Sequence, residues 1–433
     1  MVNQGELKGR MDFGYYVGDY FNLLEIFNKS KTPVYTINEI SKKIVDGPFG
    51  SQLKVEEYQQ NGVPLIRVKD IKNGRLLEND FVYISESKQK QLIRSKVNPG
   101  DIILTKAGSV GNAVVFPEHL KEGNITSHLA KIEPKENVDP YYLALYLDSN
   151  FGKSQIIRLG NKTTRPELNI QEVKTVKIIL PELDIQRKIV EKMNQALIKK
   201  QKLEEENVKI IKSIDEYILG ELGIELIKKQ IEKTFFVTDV ADLKNGRFDP
   251  FFHNPKFKIT KNIKTKYELK KFKEIVTELK TGLPIRKDQR VVKGTIPYYG
   301  ANGIIGRMSD FTHNGEYLVI AQDGYIGNHY VVNGKFWASN HNRVAKTKED
   351  INIRYLKYIL DITNYEYLVT GGVIPKLTKE ALEQILIPVP PINIQTKIAD
   401  EVSRRIEEAK LKEQQAKEIY ENAKREVEKM ILG

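Results

Sequence analysis

The stretch Leu180-Pro181-Glu182-Leu183-Asp184-Ile185-Gln186-Arg187-Lys188-Ile189 returns later in the chain as Val389-Pro390-Pro391-Ile392-Asn393-Ile394-Gln395-Thr396-Lys397-Ile398. Pro181 pairs with Pro390 and Gln186 with Gln395. Working outward, further matches follow in the same order. Gly9-Arg10-Met11-Asp12 recurs as Gly246-Arg247-Phe248-Asp249, and an aromatic pair follows each copy, Tyr15-Tyr16 and Phe251-Phe252. Gly108-Ser109-Val110-Gly111-Asn112 recurs as Gly324-Tyr325-Ile326-Gly327-Asn328, each after an apolar run, DIILTK or YLVIAQ. Ser127-His128 matches Asn340-His341, Tyr142-Leu143 matches Tyr355-Leu356, and Pro166-Glu167-Leu168 matches Pro375-Lys376-Leu377. One shared dipeptide means nothing, but this many in order mean a tandem duplication. Missing it would mis-assign the whole fold.

Each copy reads as two parts. The first mixes short β-like runs with Gly-rich turns. VPLIRV and DIILTK read as strands, PYYLALYLDSN as a short helix. The second part is a long helix, for which Asp184 and Asn393 are suitable N-caps after the proline-containing segments PELD and PPIN. From Ile189 apolar residues fall at alternating four- and three-residue steps: Met193, Ala196, Leu203, Ile210, Ile214 and Tyr217, interrupted by Lys200 and Asn207. From Ile398 the second helix gives Val402, Ala409, Ala416, Ile419, Ala423 and Met430, interrupted by Arg405 and Lys412. This is a coiled-coil pattern, in which polar seam residues set register at some cost in stability. The two helices are therefore expected to pair.

A chain of 433 residues should hold two or three domains, and its 40% hydrophobic content can fill their cores. The net charge of +12 favours a polyanionic partner, since Lys and Arg on phosphates release condensed counterions. There is no cysteine, which excludes disulfides, thiolate metal sites and cysteine nucleophiles. No signal-like stretch and no apolar run of spanning length is apparent, so a cytoplasmic protein with no membrane partner is expected.

Motifs for chemistry are missing. An amino-methyltransferase needs an Asn/Asp-Pro-Pro-aromatic loop. The nearest strings, Asn254-Pro255-Lys256-Phe257 and Asp249-Pro250-Phe251-Phe252, lack the second proline and read as turns. DGPFGS and AGSVGN do not follow the strand, GxGxxG, helix order of a nucleotide site, and no Walker loop occurs. His329 with Asn340-His341-Asn342 superficially suggests a His-Asn-His nuclease, but the first copy repeats only His128. No catalytic residue, metal or cofactor is expected.

The Gly-rich turns are instead suited to reading DNA, because glycine lets the backbone approach while polar side chains reach phosphates or base edges. In the first copy the candidates are Ser51 and Lys54, Arg67 and Lys69, Lys106, Ser109 and Asn112, Ser127 and His128, and Lys162 and Arg165. In the second they are Tyr298, Tyr299 and Asn302, Gln322, Tyr325 and Asn328, and Asn340, His341, Asn342 and Arg343.

The chain resembles the specificity subunit of type I restriction-modification systems. The strings that carry the resemblance are DGPFGSQLK, IRVKDIKNGR, GDIILTKAGSVGN and LPELDIQRKIVEKM in the first half. In the second they are IPYYGANGIIG, IAQDGYIGN, GGVIPKLTKEALEQILIPVPP and INIQTKIADEV. The resemblance implies an α+β fold: two mixed α/β target-recognition domains in tandem, separated by a pair of long antiparallel coiled-coil helices. Residues 1–183 would be the first recognition domain, 184–233 the central spacer helix, 234–391 the second recognition domain and 392–433 the C-terminal spacer helix. Each domain would read half of a split, asymmetric double-stranded DNA target, with the helices as a ruler for the unread spacer. Partners would be two modification subunits, which carry S-adenosylmethionine and methylate adenine, and restriction subunits forming an ATP-driven nuclease. The specificity subunit itself would not be catalytic. A specificity subunit of another phage-defence methyltransferase would share these features, and a structural coiled-coil scaffold is a third reading. The second copy has IPYYGANGIIG where the first has VPLIRVKDIKNG, so the two domains should read different half-sites.

Overall fold

The computed structural model describes residues 18–72, 74–160, 167–224, 264–285, 294–363, 368 and 376–433. The chain divides into two compact units, Met1–Lys202 with Gln415–Gly433, and Leu203–Gln414. Each unit contains one copy of the repeat and one half of each long helix. Lys162 and Arg165, the Gly9 and Gly246 motifs and the prolines of the Pro166/Pro375 match lie outside the described residues.

The first copy has two four-stranded sheets. Its strands are β1 (Ser41–Asp46), β2 (Val63–Ile66), β3 (Val82–Ile84), β4 (Lys96–Val97), β5 (Ile102–Thr105), β6 (Ala113–Val115), β7 (Gly123–Ile125) and β8 (Leu129–Pro134). One sheet runs β1-β8-β5-β6, the other β3-β2-β7-β4. The second copy repeats the plan with β9 (Val276–Thr281), β10 (Ile296–Gly300), β11 (Gly303–Met308), β12 (His313–Asn314), β13 (Tyr317–Ala321), β14 (His329–Val332), β15 (Lys335–Ala338) and β16 (Asn342–Thr347). Its sheets run β9-β16-β13-β14 and β11-β10-β15-β12. In both copies the second sheet contains a single parallel pair, β2 with β7 and β10 with β15.

The apolar runs DIILTK and YLVIAQ do not alternate because both faces of their strands are covered. Ile102 and Leu104 face a helical core with Tyr142, Leu143, Tyr146 and Leu147, while Ile103 packs with Ile66, Val97 and Ile125 on the other side. In the second copy Leu318 and Ile320 join Tyr355, Leu356 and Leu360, and Val319 joins Phe336 and Ala338. The short helix α1 (Pro140–Asp148) starts on Asp139, which caps Tyr141 and Tyr142 N–H, with proline in the first turn. Its counterpart α3 (Ile353–Asp361) starts on Asn352, which caps Arg354 and Tyr355.

Two long helices complete the chain, α2 (Leu183–Leu222) and α4 (Ile392–Leu432). Asp184 and Asn393 are not their caps. Gln186 N–H bonds to Glu182 O and Gln395 N–H to Pro391 O, so each helix begins two residues earlier than expected. Asp184 instead sits in the first turn, where a carboxylate suits the helix dipole.

In the first unit Met193, Ala196 and Ala423 pack together, and Lys192 pairs with Glu426. In the second unit Glu206 pairs with Lys412 at 2.6 Å and Glu221 with Lys397 at 2.9 Å. Residue numbers rise on one helix as they fall on the other, so the two are antiparallel. Of the expected seam, Met193, Ala196, Ile214, Val402, Ala409, Ala416 and Ala423 are buried, and Leu203, Asn207, Ile210, Tyr217, Ile419 and Met430 are half-buried. Each helix also packs on sheet domains at both its ends. Ile189 joins the first copy's core and Ile218 and Leu222 the second's, while Ile398 and Val402 join the second copy's core and Val427 and Ile431 the first's.

Candidate nucleic-acid interface

Strand direction brings the candidate turns of the first copy to one end of its sheets. β8 runs antiparallel to β1 and β5, with Ala130 opposite Asp46 and Leu129 opposite Thr105. The turn after β1 (Asp46 to Lys54), the turn after β5 (Lys106 to Asn112) and the turn before β8 (Thr126 to His128) are therefore neighbours. Thr126 N–H bonds to Ile66 O at 3.1 Å, which adds the segment after β2, with Arg67 and Lys69. The second copy gathers the same set. Thr281 lies opposite Arg343, Ala321 opposite Asn342, and Ser339 N–H bonds to Tyr299 O at 2.9 Å.

The two ends share a backbone frame. Gly108 and Gly111 have φ of 75° and 92°, and Gly324 and Gly327 of 70° and 99°, the left-handed region where glycine is unstrained. Lys106 N–H bonds to His128 O at 2.8 Å and Gln322 N–H to His341 O at 3.0 Å. A Cβ on Gly47 would collide with the Thr126 carbonyl, and one on Gly282 with the Ser339 carbonyl. These glycines let two turns touch.

The side chains on this frame differ. In the first copy Ser51, Lys54, Lys69, Ser109 and His128 are exposed, Arg67, Asn112 and Ser127 half-buried, and Lys106 buried. In the second Asn302, Tyr325, Asn340 and His341 are exposed, Tyr299 and Asn328 half-buried, and Tyr298, Gln322, Asn342 and Arg343 buried. The buried ones hold the turns. Asn342 donates to Tyr299 O at 2.9 Å and Gln322 to Asn340 O at 2.5 Å. Arg343 donates to Thr281 Oγ1 at 3.1 Å, and burial holds its guanidinium below the ordinary arginine value against the pull of Glu380 and Glu383. Lys106 lies 3.6 Å from Asp46. Arg67 is engaged from within: its Nε and Nη2 donate to the buried Asp70 carboxylate at 3.0 Å each.

Two partners escaped the sequence reading. Arg94, sequence-distant, reaches Asp46 Oδ1 at 2.9 Å, and only the strand arrangement brings it there. Asp323 bonds His341 Nδ1 at 2.7 Å; its place just before Gly324 was the available signal. The divergence of IPYYGANGIIG from VPLIRVKDIKNG also has a structural form. In the second copy β10 turns directly into β11 through Ala301 and Asn302. In the first, a long excursion carrying the hairpin of Ile71–Lys72 with Arg75–Leu76 separates β2 from β3.

His329 and His341 have different carboxylate partners. His329 is buried against Asp361 at 2.9 Å, while His341 is exposed against Asp323. Among the described residues no group of three or more His, Cys, Asp or Glu could hold a metal ion, and no helix is long and apolar enough to cross a membrane.

Two sheet-rich domains in tandem, each displaying a matched set of polar turns at one sheet end and each followed by a long helix, define a duplicated recognition module. The profile of the type I restriction modification DNA specificity domain matches residues 20–213 and 262–421, and the chain belongs to that family. A putative type I restriction enzyme specificity subunit of Haemophilus influenzae is 43% identical over 119 residues, which span 27% of this chain and 31% of that protein. The putative MjaX specificity subunit of Methanocaldococcus jannaschii is 24% identical over 401 residues, 86% of each chain. The crystal structure of a type I restriction-modification S subunit from M. genitalium has the same fold, with a TM-score of 0.51 at 15% identity over 93% of this chain and 96% of that one. These relatives are named as specificity subunits, not as methyltransferases or nucleases.

Proposed function

We propose that this chain reads a split, asymmetric double-stranded DNA target for a type I restriction-modification complex. Each sheet end reads one half-site. The paired helices set the unread spacer and scaffold two modification subunits and the restriction subunits. The observation that carries this reading is the pair of matched sheet ends, with one glycine-built frame and two different sets of side chains. A duplicated frame with unlike contacts is what a target with unlike halves requires.

The working divisions are residues 1–183 and 234–391 as recognition domains and 184–233 and 392–433 as spacer segments. Ser51, Lys54, Lys69, Ser109, Asn112, Ser127 and His128 are the direct contacts of the first domain, and Lys162 and Arg165 remain candidates from the sequence. Tyr299, Asn302, Tyr325, Asn328, Asn340 and His341 serve the second. Lys106, Arg67, Tyr298, Gln322, Asn342 and Arg343 shape the turns from beneath. The net charge of +12 supports the phosphate part of this contact.

Methylome sequencing of the host with and without the gene tests the reading. Adenine methylation at one bipartite motif with unlike halves should disappear on deletion and return on complementation. An unchanged methylome, or loss of a continuous motif, would refute it.

A further inference from the structure

Among the described residues the repeat contains one polar side chain that is identical in both copies, completely buried and unrelated to DNA contact. Gln186 and Gln395 have no exposed surface. Gln186 Oε1 accepts Asp139 N–H at 2.8 Å, and its Nε2 donates to Asn137 O at 3.0 Å and Pro181 O at 2.8 Å. Gln395 Oε1 accepts Asn352 N–H at 2.9 Å, and its Nε2 donates to Asp350 O at 3.0 Å and Pro390 O at 2.8 Å. We propose that these two glutamines are positioning residues that fix the direction in which each long helix leaves its recognition domain, and so the spacer length the protein accepts. This rests on the split-target reading above.

The chemistry of the junction requires an amide. Two backbone carbonyls and one N–H converge on the site, so the occupant must offer two donors and one acceptor while staying neutral. A carboxylate would face both carbonyls, and an apolar side chain would orphan all three groups in a dry interior. The amide also ties three pieces of chain together. Asp139 and Asn352 are the caps of α1 and α3, and Pro181 and Pro390 belong to the segments that lead into α2 and α4. From the other side Tyr142 OH donates to Ile179 O at 2.5 Å and Tyr355 OH to Pro388 O at 2.6 Å.

Leverage makes the angle matter. A helix of 40 residues is about 60 Å long. A tilt of about 5° at its base moves the far end by about 5 Å, more than the rise of about 3.4 Å per base pair. The two junctions are not equally reinforced. The second adds Arg354 to Asp400 at 2.8 Å and Asn352 to Thr396 at 3.2 Å, for which the first shows no counterpart among the described residues.

The test uses the full chain assembled with its methyltransferase subunits, carrying Gln186→Met, Gln186→Glu or Gln395→Met, with methylomes and melting curves for each. The expected result is unchanged half-sites, with methylation now appearing at spacers one base pair longer or shorter than the parent's. The spread should be wider for the Gln186 variants than for Gln395→Met. Folded variants that methylate only at the parental spacer, at parental levels, would overturn the proposal. If Gln186→Met does not fold, the other two variants carry the test. Loss of folding in all three would also overturn it, because the glutamines would then be determinants of stability. A parent complex that methylates no bipartite motif would sink the split-target reading itself.

Discussion

The side-chain amide of Asn207 donates to the backbone carbonyl of Ala409 at 2.8 Å across the helix pair. Ala409 is buried and has nothing beyond Cβ, which lets the asparagine reach its backbone. The other polar residues of the seam are also engaged across it. Arg405 donates to Ser213 O at 2.8 Å and lies over the Tyr217 ring, Lys412 pairs with Glu206, and Lys200 lies over Tyr420. These contacts only form in one register, which is how polar seam positions specify a pairing.

Replacing Ala409 by Leu should therefore push the helices apart and break the Asn207 contact. Overpacking of this kind costs about 1–3 kcal/mol. For a domain of this size that lowers Tm by roughly 2–4 °C per kcal/mol. Thermal denaturation followed by circular dichroism measures it, and an unshifted Tm would mean that the seam is not closely packed at Ala409.

Arg67 should prove structural. It is the partner of a carboxylate with no exposed surface, and it also donates to the Asp80 carbonyl. Arg67→Ala leaves Asp70 buried and unpaired, a change that typically costs about 3–5 kcal/mol. Denaturant unfolding should show a large loss for Arg67→Ala and a smaller one for the double variant Arg67→Met/Asp70→Asn. A stable Arg67→Ala variant that loses only DNA affinity would reassign the guanidinium to DNA.

His313 should make the second copy acid-sensitive. It stacks on Phe336 with ring centroids 5.0 Å apart, and burial holds its pKa below 6.5, with Glu278 opposing and Lys280 assisting. The unfolded chain takes up a proton near pH 6.5 while the folded imidazole resists it. The stability is therefore full above about pH 6.5 and is lost as the pH falls from there towards the folded value. Tm measured against pH should decline across this window in the parent and less steeply in His313→Gln. Equal slopes would show that His313 is not the responsible group.

The duplication, the helix pairing and most seam positions were legible because they are periodic or repeated, and periodicity survives without coordinates. What was not legible depends on strand pairing. Nothing in the spacing tells that Arg94 meets Asp46, or that Arg67 turns inward while Lys69 stays exposed. Both sit in one polar stretch, yet only Arg67 finds a buried carboxylate three residues away. Likewise Asn342 and Arg343 look like neighbours of exposed His341, but they are already inside strand β16, where both faces are covered. The ends of the long helices were misread for a related reason. Met430 keeps the seam's period, but it is half-buried against the first copy's core, which Val427 and Ile431 enter fully.

Tyr325 should discriminate the two reading ends. It is 59% exposed at the turn after β13, and its counterpart Ser109 is small. Tyr325→Ala should leave Tm unchanged and relax or weaken recognition of one half-site only, as read by methylation of a library of half-site variants. Weakening of both halves alike would contradict the division of labour.

The most direct test of the central claim lengthens the ruler in both helices together. The antiparallel pairing requires this, since an insertion in α2 alone would slip it against α4. Lys192 faces Glu426 and Glu206 faces Lys412, so four residues after Lys200 and four after Lys417 enter at matching positions. Each insertion adds about 6 Å and is close to one helical turn, so the apolar faces stay nearly in phase. At about 3.4 Å per base pair, methylome sequencing should show both half-sites unchanged and the spacer longer by one or two base pairs. A folded, active double-insertion variant that keeps the parental spacer would contradict the account.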